Sequence, residues 1–393
     1  MTDLVVVGAG TMGAWTALRA ARAGRDTLLI DAFGAGHARA TSGDETRIIR
    51  AAHGADTLYL RWSREARDAW TSFGEETGEP IFVQSGALWF ARREDGFEAI
   101  SLETLTSEGV PVERLTPGDL ATRWPQISTE GVGFAVFEPE AGILMARRGV
   151  AAVARAVTSA GGRFERASVR PGTVKGRTLL DVVGVDGQRF PADAIVFACG
   201  PWLPRLFPDV LGDLIRVTKQ DVLFVGPPPG DGRFDAERLP CWVDYDAAFY
   251  GIPAVDGRGF KVAPDRYGPV FDPTDGERLV DLESVRLARH FLRRRFPALA
   301  DQPIVEARVC QYETTPDTNF VIDRHPALDN VWLVGGGSGH GFKHGPVIGR
   351  HVLSLMDGHP SHEDEGRFAI ARPRVPAAGL RTSADSMVGD WTD

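Results

Sequence analysis

The stretch that decides the fold is Leu4-Val5-Val6-Val7-Gly8-Ala9-Gly10-Thr11-Met12-Gly13. Four consecutive apolar, mostly β-branched residues read as a strand covered on both faces, the pattern of a parallel sheet. The glycines follow at GxGxxG spacing. Ala14, Ala17, Leu18 and Ala21 then recur at helical spacing up to Gly24, a C′ glycine, and Thr27-Leu28-Leu29-Ile30 makes a second strand ending at Asp31. Asp31 lies 31 − 8 = 23 residues past the first glycine, near the roughly 20 of a dinucleotide fingerprint. Strand before, helix after and acid at the right distance turn a weak motif into a specific one. Glycine backbone can approach a pyrophosphate seated on the helix N-terminus, while Asp31 can accept from a ribose hydroxyl and disfavours a 2′-phosphate.

Further along, the pattern alternates between this kind of unit and another. Beyond residue 85, short pieces such as Ala87–Ala91 and Gly131–Phe137 suggest antiparallel strands. Residues 147–160 read as a helix and Ala194–Trp202 as a buried strand entering a glycine turn. A second antiparallel region runs from Val217 to Ile322, with a helix over 281–295 whose apolar residues are Leu282, Val285, Leu287, Phe291 and Leu292. Val331–Val334 then leads into Gly335-Gly336-Gly337-Ser338-Gly339-His340-Gly341 and a last helix. The expectation is an α/β fold: a discontinuous Rossmann-like nucleotide domain, with insertions building a second domain on a mostly antiparallel β-sheet.

Composition bounds the partners. The 393 residues carry 53 acidic against 44 basic side chains, a net charge of −9, and no basic run, so no electrostatic footprint for nucleic acid exists. Three cysteines without CxxC spacing argue against a disulfide framework or a cysteine-rich metal site, and no metal is expected. The opening residues lack a basic n-region and no apolar run reaches the roughly 18 residues of a membrane span, so a cytoplasmic protein with a small ligand is expected.

Six elements in order carry a resemblance: GAGTMG at 8–13, Glu45-Thr46-Arg47-Ile48-Ile49-Arg50, Phe249-Tyr250-Gly251-Ile252-Pro253, Gly259-Phe260-Lys261, Cys310-Gln311-Tyr312 with Asn319–Asp323, and Gly339-His340-Gly341-Phe342-Lys343. Over nearly its whole length the chain resembles the FAD-dependent amine oxidases of the monomeric sarcosine oxidase and N-methyltryptophan oxidase type, within the D-amino-acid-oxidase family. The resemblance implies an FAD-binding domain from residues 1–85, 147–212 and 325–375, a substrate domain from 86–146 and 213–324, and a loose tail over 376–393. It implies a monomer that oxidises the C–N bond of a secondary amino acid, reduces O2 to hydrogen peroxide and releases an imine to hydrolysis.

The same resemblance assigns roles. Gly8, Gly10, Thr11, Met12, Gly13, Asp31, Ser42, Thr46, Arg47, Cys199, Gly200, Trp202, Gly337, Gly339, Gly341, Phe342 and Lys343 would hold FAD, with Cys310 its covalent 8α-S-cysteinyl anchor. Arg50 and Lys343 match a pair that grips the substrate carboxylate, Arg47 a residue beside the flavin, and Lys261 a lysine that promotes reaction with oxygen. Tyr250 and Tyr312 would wall the cavity. Taken singly, each has a plainer reading: Cys310 as a small buried apolar residue, Lys261 as a solvated strand lysine, the two tyrosines as core aromatics, the Gly335–Gly341 run as a hinge. His340 is a candidate base or a hydrogen bonder of the flavin loop. Two positions depart from the sarcosine oxidases, which usually carry histidines where this chain has Gly43 and Asp265. Asp265 is either beside the cavity, favouring a cationic or hydroxyl substituent, or the start of a solvated turn. Rival functions are an FAD dehydrogenase with another electron acceptor, a non-catalytic flavin-binding subunit and, more weakly, a nicotinamide enzyme.

Overall fold

The computed structural model describes residues 2–359 and 366–373; the 376–393 tail lies outside the described residues. Five strands, Arg163–Arg166, Thr27–Asp31, Thr2–Val7, Arg189–Phe197 and Val331–Gly335, lie side by side and parallel in that order. Val321–Arg324 pairs antiparallel with Val331–Gly335, and the strand Asp181–Gly184 with the start of Arg189–Phe197.

The continuous apolar run explains itself in the packing. Leu4 and Val6 face a core with Ala14, Leu18, Val153, Val157, Val347 and Val352, side chains of the helices Thr11–Arg22, Ala146–Ser159 and Gly345–Met356. Val5 and Val7 point the other way, onto Leu28, Ile30, Phe197, Leu203, Phe207 and Leu211. Both faces are covered, so nothing in the strand alternates.

A second, eight-stranded sheet runs Ile304–Thr314, Arg216–Val225, Phe260–Pro264, Phe249–Ile252, Cys241–Asp244, Ala87–Ala91, Phe134–Glu138, Glu113–Leu115. Cys241–Asp244 and Ala87–Ala91 pair in parallel; its other neighbours are antiparallel. The helix Leu282–Arg295 packs on it with Phe291 stacked on Trp242 and Phe249 at centroid distances of 5.1 and 4.6 Å. Leu282, counted among its apolar residues, is 83% exposed, because it stands in the first turn after the Asp281 cap.

A third sheet is small and matters most. Thr46–Ile49, Gly142–Met145 and Phe82–Val83 pair antiparallel, and Thr46–Ile49 also touches Phe249–Ile252 of the mixed sheet and the turn Phe342–His344. Arg47 is thus held where the other layers meet. The 21-residue helix Thr57–Thr77, capped by Asp56 and closed by left-handed Gly78, was legible in the spacing of Leu58, Tyr59, Trp62, Ala66, Trp70 and Phe73 but is absent from the reading above. The helix Phe97–Ser107 likewise interrupts a stretch read as strands. No described helix is long and apolar enough to cross a membrane.

Candidate active site

The turn after the first strand uses its three glycines for three different reasons. A Cβ on Gly8, whose φ is +107°, would sit 2.3 Å from the Ala198 carbonyl oxygen, and one on Gly13 would sit 2.0 Å from the Gly8 oxygen. These two let strand, turn and helix close on each other. Gly10 meets nothing nearer than Ser42 Oγ at 3.5 Å and lies open toward the cavity, as a backbone position that a ligand approaches must. The helix Thr11–Arg22 begins with no cap from Gly10 and no acidic residue in its first turn; Ser42 Oγ accepts from Thr11 N at 3.1 Å, and no carboxylate of the first turn offsets the positive helix end. Asp31 accepts from Ala9 N at 2.8 Å through one oxygen, and from Phe33 N and Gly34 N at 2.8 and 2.9 Å through the other. It lines the cavity with acceptor capacity to spare. Dinucleotide phosphates and a ribose therefore fit the residues present.

From this cradle a cavity of about 480 Å³ runs across to the mixed sheet, within the range of small-molecule sites. Of the residues singled out from the sequence, Gly8, Gly10, Thr11, Met12, Asp31, Ser42, Arg47, Arg50, Cys199, Gly200, Trp202, Tyr250, Cys310, Tyr312, Gly337, Gly339, His340, Gly341, Phe342 and Lys343 line it. Gly13, Thr46 and Lys261 do not. Gly13 is packed behind the turn, and Thr46 is buried with its carbonyl accepting from Lys261 Nζ at 3.2 Å.

Lys261 departs most from expectation. Its ammonium is 1% exposed and hydrogen-bonds to Asp44, a residue the sequence reading did not single out. Burial opposes ionisation of Asp44, but the charges of Lys261 and Arg47 outweigh it and hold the carboxyl well below the usual range. Arg47 donates to the same Asp44 oxygen at 2.6 Å and to Thr41 O at 2.7 Å. Two cations thus share one carboxylate, and Arg308 stands 3.6 Å from its second oxygen. The plainer reading of Lys261 as a solvated lysine fails. Asp265 is fully buried and absent from the cavity lining, its amide donating to Ala248 O at 2.6 Å. The solvated alternative therefore fails: Asp265, directly after the strand Phe260–Pro264, is buried although Arg266 and Tyr267 beyond it are half-exposed.

The three cysteines differ in their surroundings. Arg47 Nη2 stands 3.4 Å from Cys310 Sγ, so a guanidinium faces the thiol that lines the cavity. Cys199 donates to Val7 O at 3.4 Å and burial pushes its pKa up; burial pushes Cys241 up to about 12. Cys310 is thus the cysteine that combines a place on the cavity lining with a facing guanidinium.

At the far end, Arg50 is 8% and Lys343 3% exposed, yet both line the cavity. Arg50 donates to Ala52 O and lies 5.1 Å over the Trp89 ring. Lys343 Nζ donates to His340 O at 3.1 Å. Beneath Arg50, Glu138 accepts from Ala51 N at 2.7 Å and Trp89 Nε1 at 2.8 Å. Trp89, Tyr245, Tyr250, Val243 and Ile48 complete this end. Trp89, Glu138 and Tyr245 carry no local motif that marks them; neither does Glu313, a cavity carboxyl pushed up to about 7 by burial against hydrogen bonds from the Gly336 and Gly337 backbone.

Comparisons with known proteins agree with this geometry. The family model described as FAD dependent oxidoreductase, DAO, matches residues 3–355. The chain is 29% identical to monomeric sarcosine oxidase of Bacillus sp. (strain B-0618) over 97% of this chain and 98% of that protein. It is 27% identical to N-methyl-L-tryptophan oxidase of Yersinia pestis (strain Pestoides F) over 95% and 99%. The crystal structure of L-proline dehydrogenase from P. horikoshii superposes with a TM-score of 0.83 at 21% identity, covering 94% of this chain and 97% of that one, a likeness of fold. With a dinucleotide cradle at one end of its cavity and buried cations at the other, the chain belongs to the DAO family of FAD-dependent oxidoreductases.

Proposed function

We propose that this chain oxidises a secondary α-amino acid, N-substituted or cyclic, with O2 as the electron acceptor, and that Cys310 carries the FAD covalently. The observation that carries the reading is the pair Arg50 and Lys343, two cations almost wholly buried yet lining the cavity beyond the dinucleotide cradle. Buried charges are kept where they meet a counter-charge, and a substrate carboxylate suits a guanidinium fork beside a point-like ammonium.

FAD, when bound, supplies the two-electron acceptor. The chain's own residues supply position. Arg50 and Lys343 fix the carboxylate, which leaves the adjacent C–H and N–H of a neutral amine directed along the cavity. Trp89, Tyr245, Tyr250 and Tyr312 exclude water and leave room for a bulky side chain or ring. The amine gives up a hydride equivalent from carbon and a proton from nitrogen; water then splits the imine to amine and carbonyl, and O2 with two electrons and two protons becomes hydrogen peroxide. The Arg47 guanidinium beside Cys310 Sγ supports the covalent link, since a thiolate is the nucleophile the link requires. The reading includes a division into FAD and substrate domains along the two large sheets, and a monomer.

One observation favours a second reading. Asp44 neutralises Lys261 and Lys261 is off the cavity lining, so the charge expected to assist oxygen is partly spent. An FAD dehydrogenase that delivers electrons to another carrier fits that arrangement. The test is aerobic turnover with an N-methyl amino acid, followed by peroxide assay and acid precipitation. Stoichiometric peroxide, with yellow colour retained in the pellet and lost in Cys310→Ala, supports the proposal. Bleaching of the flavin without peroxide selects the dehydrogenase, and colour left in the supernatant removes the covalent link.

A further inference from the structure

Beside the carboxylate grip stands a cluster that the sequence pattern, with residues 53 and 340–344 far apart, does not bring together. His53, His340 and His344 each offer a ring nitrogen, and the three nitrogens lie within 4.8 Å of one another. Their ring centroids form a near-equilateral triangle: 6.1 Å from His53 to His340, 5.7 Å from His53 to His344, and 6.1 Å from His340 to His344. His53 and His344 are 2% and 0% exposed, and His340 lines the cavity, which gives a path in.

Two of the rings are also oriented from behind by main chain: His53 Nδ1 is 3.0 Å from Ala51 O and His340 Nε2 is 3.0 Å from Thr318 O. The His344 ring is packed against Tyr59 and Trp62. An imidazole whose N–H is given to a carbonyl presents its lone pair on the other nitrogen, and metal-ligating histidines are held in this way. For His53 that nitrogen is Nε2, buried and without a hydrogen-bond partner among the described residues. Aromatic packing on Tyr59 and Phe320 explains why the rings are buried. It does not explain why one nitrogen of each ring lies within 4.8 Å of the other two.

We propose that His53, His340 and His344 form a three-imidazole site for a borderline divalent transition ion such as Zn2+. Three neutral nitrogens without a carboxylate suit Zn, Cu or Ni rather than Mg or Ca. At a Zn–N distance of about 2.0–2.1 Å, a tetrahedral set needs nitrogens roughly 3.4 Å apart, so the rings close by roughly 1.5 Å at most. Arg50 and Lys343 stand close by and work against a second positive charge. They moderate the affinity and favour an anion as fourth ligand. A bound ion ties the turn that carries Lys343 to the segment following Arg50, fixing the two halves of the carboxylate grip. The site is independent of which amine is oxidised.

The experiment strips the holoenzyme with a chelator, titrates it with Zn2+ alone and measures metal per chain after desalting. The expected result is one equivalent in the native chain and an affinity weakened at least tenfold in His53→Phe and in His344→Phe. Binding of less than about a tenth of an equivalent overturns the proposal, as does unchanged binding in both variants, which places the ion elsewhere. Should the variants not fold, Co2+ in the native chain decides. Ligand-field bands of four-coordinate, nitrogen-bound cobalt support the site; octahedral bands or none overturn it.

Discussion

The two ends of the cavity are built by different means. At the cradle the geometry is set by backbone: Gly8 and Gly13 allow a strand and a helix to close within 2.3 Å of where a side chain would begin. At the opposite end the working groups are side chains, Arg47, Arg50, Lys261, Cys310 and Lys343, drawn from four distant segments and held by Asp44, Glu138 and carbonyl oxygens. A backbone site is set by local sequence and tolerates few substitutions. A side-chain site is set by packing and holds charge that must be balanced where water cannot reach.

The sharpest way to break this contrast is at the turn. Gly13→Val puts a side chain against the Gly8 carbonyl oxygen with no flexible neighbour to yield, so the folded chain should lose about 3 kcal/mol or more and its flavin with it. Urea unfolding reads this, and a variant as stable as the native chain would mean that the turn is not the rigid element described.

At the charged end, Asp44→Asn leaves Lys261 and Arg47 without their carboxylate. Removing one partner of a buried pair costs about 3–5 kcal/mol, so the unfolding midpoint should fall by an amount comparable to that for Gly13→Val. A neutral result would mean that Lys261 is uncharged in the folded chain. Arg50→Met should leave flavin content unchanged and lower kcat/KM for an amino-acid substrate by about a hundredfold, roughly 2.7 kcal/mol, chiefly through KM. An equal loss with an amine that has no carboxylate would show that Arg50 does something other than grip that group.

A pH dependence sharpens the comparison at its seam, where Glu313 touches the glycine loop. Its folded pKa, pushed up to about 7 by burial, lies above the ordinary carboxyl value of 4.5. The neutral form is the favoured one in the folded chain, so its contribution is complete below pH 4.5 and is lost as pH rises through 7. Stability of the flavin-free chain should therefore fall by up to about 3 kcal/mol between those limits. Glu313→Gln should flatten that slope; Glu98, also pushed up to about 7, leaves a remainder. An unchanged slope in Glu313→Gln would show that the carboxyl is solvated.

How much of this was legible follows the same division. Leu4–Val7, the glycines and Asp31 carry their meaning in spacing, because strand, turn and helix are neighbours in the chain. The charged end was reached through resemblance: nothing local says that Arg50 points inward, and nothing marks the burial of Asp44 or Glu138, since Lys261 and Ala51, which they bind, lie 217 and 87 residues away. Asp265 shows the cost of reading by local chemistry, since an aspartate before Arg266 and Tyr267 suggests solvent while the fold buries it completely. The Thr57–Thr77 helix shows the reverse, a pattern plain in spacing and left unread.

The most direct test of the account is anaerobic titration of the holoenzyme with N-methyl and cyclic α-amino acids, followed by flavin absorbance. Full bleaching by at least one of them is expected, with the apparent affinity weakened about a hundredfold in Arg50→Met and in Lys343→Met. Bleaching only by amines that lack a carboxylate, or no bleaching by any secondary amine, would contradict it.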